Sequence, residues 1–329
     1  MPHMPFNARL TRVLELFEVD LVSNERLDLP LASFHPREES ALCSSLALIL
    51  EEIGLPPECT ICDVERITVL VRRREGCTHS DILKLYRFHP PARMVGYEPV
   101  VLYSHGGTIR ADPTLHSVYF PALALLLARR GMNCHFVAVD HRGAHCHADK
   151  THFCIEDRVH DLVLAYGGFA SGVFGSSCDV SRGPLFMIGN SMGGHVVAVT
   201  TELLKARGIA LVSPGAFSKE AHFARFGPDF SHEVRKPGSW QTSPAFSALA
   251  GYLESGGSAI LRASAFDDVI PNELTNRYAK CINESQNSFN EVAIAPVDHR
   301  MMVADDVTRV ADFIQRLSMP TYYSHREVD

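Results

Sequence analysis

The chain has 329 residues, 46% hydrophobic and 21% charged, an ordinary globular composition. Its formal net charge of -7 gives no electrostatic reason to expect nucleic acid or an anionic membrane as partner. No apolar run is long enough for a spanning helix, and the opening MPHMPFNARLTRV lacks the apolar core of a signal peptide.

The nine cysteines form an odd, scattered set, which reads as reduced thiols and predicts a cytoplasmic protein. Cys59 and Cys62 make one CxxC, but a zinc site would want a second pair.

Residues 1–64 read as a helical extension, with 65–329 as the main domain. ARLTRVLELF has helical spacing. PREESALCSSLALILEEIG carries Pro36 near its start, acids in its first turn and Gly54 as a stop. These helices offer a surface on which two copies could meet. From Val64 the texture changes. ERITVLVRRR and DILKLYRFHP predict two strands joined by a turn. PVVLYSHGG predicts a short buried strand ending in glycine. Helix and strand then alternate: TLHSVYFPALALLLARRG, NCHFVAVD, IEDRVHDLVLAYGGF, PLFMIGNS, MGGHVVAVTTELLKARG, IALVSP. Such alternation predicts an α/β fold with a parallel sheet covered on both faces. It stops over residues 215–257 and resumes with SAILRASAFDD, NELTNRYAKCINES, FNEVAIAPVDH and ADDVTRVADFIQRL. The interruption predicts an insertion over the carboxyl edge of the sheet, where open α/β sheets hold their sites.

Gly189-Asn190-Ser191-Met192-Gly193 lies where a buried strand becomes a helix. Glycines two before and two after the serine fit a turn too tight for a Cβ. The Met192 N–H would then head a helix, where unpaired donors and the helix dipole favour negative charge. These are the parts of an oxyanion site. A helix cap is the plainer role for such a serine. A nucleophilic serine needs a base, and the base an orienting carboxylate. Two later strands end in Asp267-Asp268 and in His299. Asp298 adjoins His299, and adjacent side chains on an extended segment diverge. The residues alone leave Asp267 and Asp268 open. The second oxyanion donor is expected after VVLYS, from the Gly107 N–H or, failing that, Thr108.

These motifs together resemble the α/β-hydrolase superfamily, most closely its monoacylglycerol-lipase and serine-aminopeptidase-like branch, over about residues 65–318. SHGG, AVDHRG, GNSMGG, DDVIP and VDHRMM carry the likeness. The resemblance implies a mostly parallel eight-stranded sheet with helices on both faces and a lid at 215–257. It implies Ser191 as nucleophile, His299 as base and, from the D-x-x-x-P pattern ending at Pro271, Asp267 as acid. The activity implied is hydrolysis of a carboxylic ester or related acyl bond in a small molecule, with no cofactor. Thioester, peptide or carbon–carbon cleavage and acyl transfer use the same triad. The sequence departs from the family where Thr-Ile-Arg follows the glycines and Ala-His-Cys-His follows DHRG.

Three other features bear on function. His145, His147 and Asp149 have metal-ligand spacing, but Lys150 takes the last ligand's place, so a polar loop is expected and no metal. Asp140 and Arg142 read as a structural ion pair, and His195 as packing or a hydrogen bond to the sheet edge. The insertion's aromatics, Phe217 and Trp240 among them, either form its own small core or line an apolar acyl pocket; with Thr108 they are the expected substrate contacts. A metal-dependent hydrolase using His145, His147 and Asp149 and a non-catalytic ligand-binding protein on this fold are the remaining alternatives.

Overall fold

A computed structural model describes residues 14–28, 51–52, 54, 63–73, 80–89, 99–107, 119–132, 134–143, 151–171, 173–174, 183–299 and 304–318. Nine strands form one sheet: β1 (Phe17–Asp28), β2 (Asp63–Arg73), β3 (Ser80–His89), β4 (Val100–Ser104), β5 (His135–Asp140), β6 (Leu185–Asn190), β7 (Gly208–Val212), β8 (Ser258–Ser264) and β9 (Glu291–Ala295). Their order is β1-β2-β3-β5-β4-β6-β7-β8-β9. The first three strands are antiparallel, and β3 pairs antiparallel with β5. From β5 to β9 all pairing is parallel. The chain steps to one side of β4 to make β5 and to the other to make β6. The carboxyl ends of β4 and β6 therefore flank the crevice where the winding reverses.

The parallel strands read as continuous apolar runs because both faces are covered. Alternate residues still divide between two cores. Val100, Leu102, Leu185 and Met187 face one core, with α2 (Ile155–Ala170), α3 (Met192–Thr200), α6 (Pro244–Glu254) and α7 (Asn272–Asn283). Val101, Tyr103, Phe186 and Ile188 face the other, with α1 (Tyr119–Arg129) and α8 (Ala304–Ser318). The interruption between β7 and β8 holds α4 (Lys219–Phe223), α5 (Pro228–Val234), a 3-10 turn (Ser239–Thr242) and α6.

Three expectations are corrected. Among the described residues the sheet has nine strands, not eight. Residues 17–28, expected as part of a helical extension, form β1, and Asp63 and Val64 open β2. Phe17 closes the helical spacing of ARLTRVLELF but also begins the alternation Phe17, Val19, Leu21, and eleven register pairs with β2 decide in favour of the strand. The helix after Ser191, expected to run to Gly208, ends at Thr200. Thr200 and Thr201 turn their hydroxyls back onto the Val196 and Ala198 carbonyls. Most of the PREESALCSSLALILEEIG stretch and the CxxC lie outside the described residues.

Beneath the carboxyl edge, Asp161 on α2 is fully buried. It accepts hydrogen bonds from Arg142 Nε at 2.5 Å and from the Arg142 N–H at 3.0 Å. His141 Nδ1 approaches it at 3.3 Å, and His141 Nε2 accepts from Ser104 Oγ at 2.9 Å. Arg142 thus engages Asp161, with Asp157 at 3.7 Å, where an Asp140 pair was expected. Burial alone would raise the Asp161 carboxyl, but the Arg142 charge and the His141 hydrogen bond hold it down at about 2. Burial lowers His141 to about 4, so it stands neutral. Asp161→Asn should cost about 3 kcal/mol near pH 7, because it strands the buried Arg142 charge. Asp161's folded pKa lies below the unfolded value of about 3.9, so its contribution is complete above that value and fades as pH falls toward 2. Urea midpoints of wild type and variant should therefore stay apart down to about pH 4 and converge as pH falls from there toward 2.

Candidate active site

The turn from β6 to α3 is set by steric exclusion. A methyl group on Gly189 would overlap the Gly193 carbonyl, and one on Gly193 would overlap the Ser104 carbonyl. Only glycine fits at either place. Between them Ser191 takes φ 52° and ψ −118°, a strained conformation for an L residue. Three backbone bonds hold it there. The Ser191 N–H donates to Val212 O at 2.9 Å, and its carbonyl accepts from Gly194 at 2.9 Å and Gly215 at 2.8 Å.

Pairing between β8 and β9 continues past the strand ends. Ala265 N–H donates to Ala295 O at 2.8 Å and Phe266 N–H to Val297 O at 3.1 Å. This fastens the two loops that carry Asp267 and His299. Asp267 Oδ1 accepts from the Val269 and Ile270 N–H groups at 2.9 and 2.7 Å, which leaves Oδ2 directed at His299. His299 Nδ1 donates to Asp267 Oδ2 at 2.8 Å, and its Nε2 accepts from Ser191 Oγ at 3.1 Å. The Asp267 side chain is 2% exposed, whereas Asp268 is exposed. Serine, imidazole and buried carboxylate thus form one hydrogen-bonded row, an arrangement that can move the Ser191 proton onto His299 as Oγ attacks.

The loop after β4 lies against this row. A Cβ on Gly106 would sit 3.3 Å from Ser191 Cβ and 3.8 Å from its Oγ, and one on Gly107 would sit 3.2 Å from Met192 Cε. Gly107 and Met192, the two expected donors, are therefore neighbours beside the serine. Thr108, His145, His147 and Asp149 lie outside the described residues. Among the described residues no group of three or more His, Cys, Asp or Glu has a metal-binding arrangement.

The insertion closes over α3. Phe217 packs on His195 with ring centroids 5.1 Å apart and on Phe230 at 5.4 Å, and Trp240 packs edge-on to Phe246 at 6.2 Å. Both residues contribute to packing, and Phe217 also borders Gly215, whose N–H holds Ser191. His195, expected as packing or a hydrogen bond to the sheet edge, hydrogen-bonds into the insertion instead. Its Nδ1 accepts from the Phe217 N–H and lies 3.3 Å from Ser243 Oγ. Its Nε2 is therefore the protonated nitrogen and donates to His222 Nδ1 at 3.0 Å. His222 Nε2 in turn donates to Glu156 Oε2 at 2.6 Å. Burial opposes ionisation of Glu156, but hydrogen bonds from His160 and His222 hold its carboxyl well below the usual range. One directed chain thus ties α3, the insertion and α2 together. No sequence signal linked these three distant residues. A buried Arg262–Asp306 ion pair, also missed, joins β8 to α8 behind His299.

Comparison with known proteins agrees with this architecture. A profile described as the alpha/beta hydrolase family matches residues 101–323. The chain belongs to the alpha/beta hydrolase family. Among solved structures it is similar to Est1E from Butyrivibrio proteoclasticus (15% identity, TM-score 0.51, 74% of this chain and 96% of that one). It is also similar to a thermophilic esterase, Est2, from Thermogutta terrifontis (17%, 0.50, 73% and 91%). The acylaminoacyl peptidase of Pyrococcus horikoshii aligns at 12% identity and TM-score 0.53 over 81% of this chain, which spans 49% of that longer one. At these identities the likeness is one of fold. Comparison with curated proteins gave no match. No helix among the described residues is long and apolar enough to cross a membrane.

If Asp267 orients the imidazole, Asp267→Asn should lower kcat by about 10⁴-fold, since an amide favours the wrong tautomer. Asp268→Asn should stay within about threefold of wild type. Steady-state rates on one activated ester decide between them, and the reverse order would move the acid by one residue.

Proposed function

We propose that the protein is a serine hydrolase that cleaves a carboxylic ester through an acyl-enzyme. The observation that carries this reading is the continuous row Ser191 Oγ–His299 Nε2 and His299 Nδ1–Asp267 Oδ2 at 3.1 and 2.8 Å. Family membership and esterases among the structural neighbours support it. Ser191 Oγ attacks the ester carbonyl while His299 Nε2 takes its proton. The N–H groups of Met192 and Gly107 receive the oxyanion, at a helix start where the dipole favours negative charge. The imidazolium, stabilised by Asp267, returns the proton to the leaving alcohol. Water, deprotonated by the same His299, then attacks the acyl-enzyme and frees Ser191. The insertion serves as a lid, with Phe217 and Trp240 facing an apolar acyl group. No step calls for a cofactor.

Ser191→Ala should lose about 10⁴-fold or more in kcat on p-nitrophenyl esters, and a variant retaining a tenth of the wild-type rate would sink the assignment. A buried methylene contributes roughly 0.8 kcal/mol. If the transition state realises that gain, kcat/KM should rise about fourfold per acyl carbon until the pocket is full. Phe217→Ala and Trp240→Ala should flatten the rise. A flat wild-type profile from acetate to octanoate would leave these aromatics as packing only and favour a polar acyl substrate.

A further inference from the structure

Arg158, on α2, is among the largest fully buried side chains, 2% exposed. A buried cation is costly unless nearby charges and hydrogen bonds compensate it, and Asp161 and Asp140 both favour its charged form. Its Nη1 donates to the carbonyl of Gly106 at 3.0 Å. The same carbonyl accepts from His105 Nδ1 at 2.6 Å, so His105 carries its proton on Nδ1. Two donors thus fix one carbonyl, and that carbonyl belongs to the peptide linking Gly106 to Gly107.

The peptide unit is planar and trans, so its C=O and N–H point to opposite sides. Whatever holds the Gly106 carbonyl away from Ser191 turns the Gly107 N–H toward it. Neither residue has a Cβ, so rotation of this peptide meets little steric resistance. A flipped peptide would set a carbonyl, not a donor, beside the serine, since Gly106 lies against Ser191 Cβ. Within the loop His105 holds the Gly106 carbonyl, and Arg158 adds a second hold from α2, outside the loop. The guanidinium also lies over the ring of Phe226 in the insertion, 5.0 Å from its centroid. The insertion thus covers its other side and keeps water from competing for it. Burial lowers the Arg158 pKa to about 10, opposed by Asp161 and Asp140, so it remains a cation at neutral pH.

We propose that Arg158 is a positioning residue that holds the Gly106–Gly107 peptide with its N–H turned toward the oxyanion. The inference rests on the reading of Ser191 as nucleophile and Gly107 as donor. Arg158→Met, similar in stem volume, should lower kcat by about 10²-fold, the loss expected for one oxyanion donor. KM should change by less than about threefold. Affinity for a trifluoromethyl ketone, which forms an oxyanion on Ser191, should fall by the same factor as kcat/KM. Arg158→Lys, which keeps a cationic donor, should recover part of both losses. Should the Met variant fail to fold, Arg158→Gln is read by the same two ratios. A folded variant with unchanged kcat would overturn the proposal. So would a loss of kcat with unchanged ketone affinity, since a merely structural role would do that. Ser191→Ala run alongside separates the two levels. An active alanine variant overturns the reading of the site, while an inactive one beside an unaffected Arg158→Met overturns the role of Arg158 alone.

Discussion

The turn between β6 and α3 admits no Cβ at Gly189 or Gly193, because backbone carbonyls of Gly193 and Ser104 already occupy those spaces. The rest of the site depends on that crowding. It forces Ser191 to φ 52° and pushes its hydroxyl out over the crevice between β4 and β6. It presses the first turn of α3 onto the end of β4, so that the glycine loop and the Met192 N–H meet beside the serine. A strained residue persists only where its surroundings over-determine it. Here Val212, Gly194 and Gly215 all hydrogen-bond the Ser191 backbone, so β7 and the start of the insertion share the cost.

Around this turn lies a frame of buried polar groups: the His141–Asp161–Arg142 cluster under β5, Arg158 under the glycine loop, and the His195–His222–Glu156 chain under the insertion. All three draw on α2, through Asp161, Arg158 and Glu156. One helix therefore supports the strand ends, the loop and the insertion together. Such groups are costly to bury and make poor stabilisers if left half-satisfied. Their placement at one edge of the sheet makes sense as fixation of loop geometry, which apolar packing alone would leave loose.

The parallel half of the fold was legible in the sequence because its strands and helices alternate with short connections, and the serine turn because glycine is sterically required there. Asp267 and Asp268 were indistinguishable by residue type. What separates them is local: Oδ1 of Asp267 caps the N–H groups of Val269 and Ile270, and only the D-x-x-x-P resemblance signalled it. The helical reading of residues 17–28 failed because Phe17 fits both a stripe and an alternation, and only the partner strand β2 chooses between them. Arg158 escaped notice because an arginine on an amphipathic helix ordinarily faces water, and its partner lies 52 residues away. His195 could be read as packing or a hydrogen bond to the sheet edge because His222 and Glu156 come from other elements.

The central claim is that Ser191 carries the acyl group during turnover. Rapid mixing with a p-nitrophenyl ester, an acid quench, and mass spectrometry of the peptide containing Ser191 would test it most directly. The account predicts a burst of p-nitrophenol close to one equivalent per enzyme and an acyl mass increment on Ser191. Turnover with no acylated peptide, or an increment on a different residue, would contradict it.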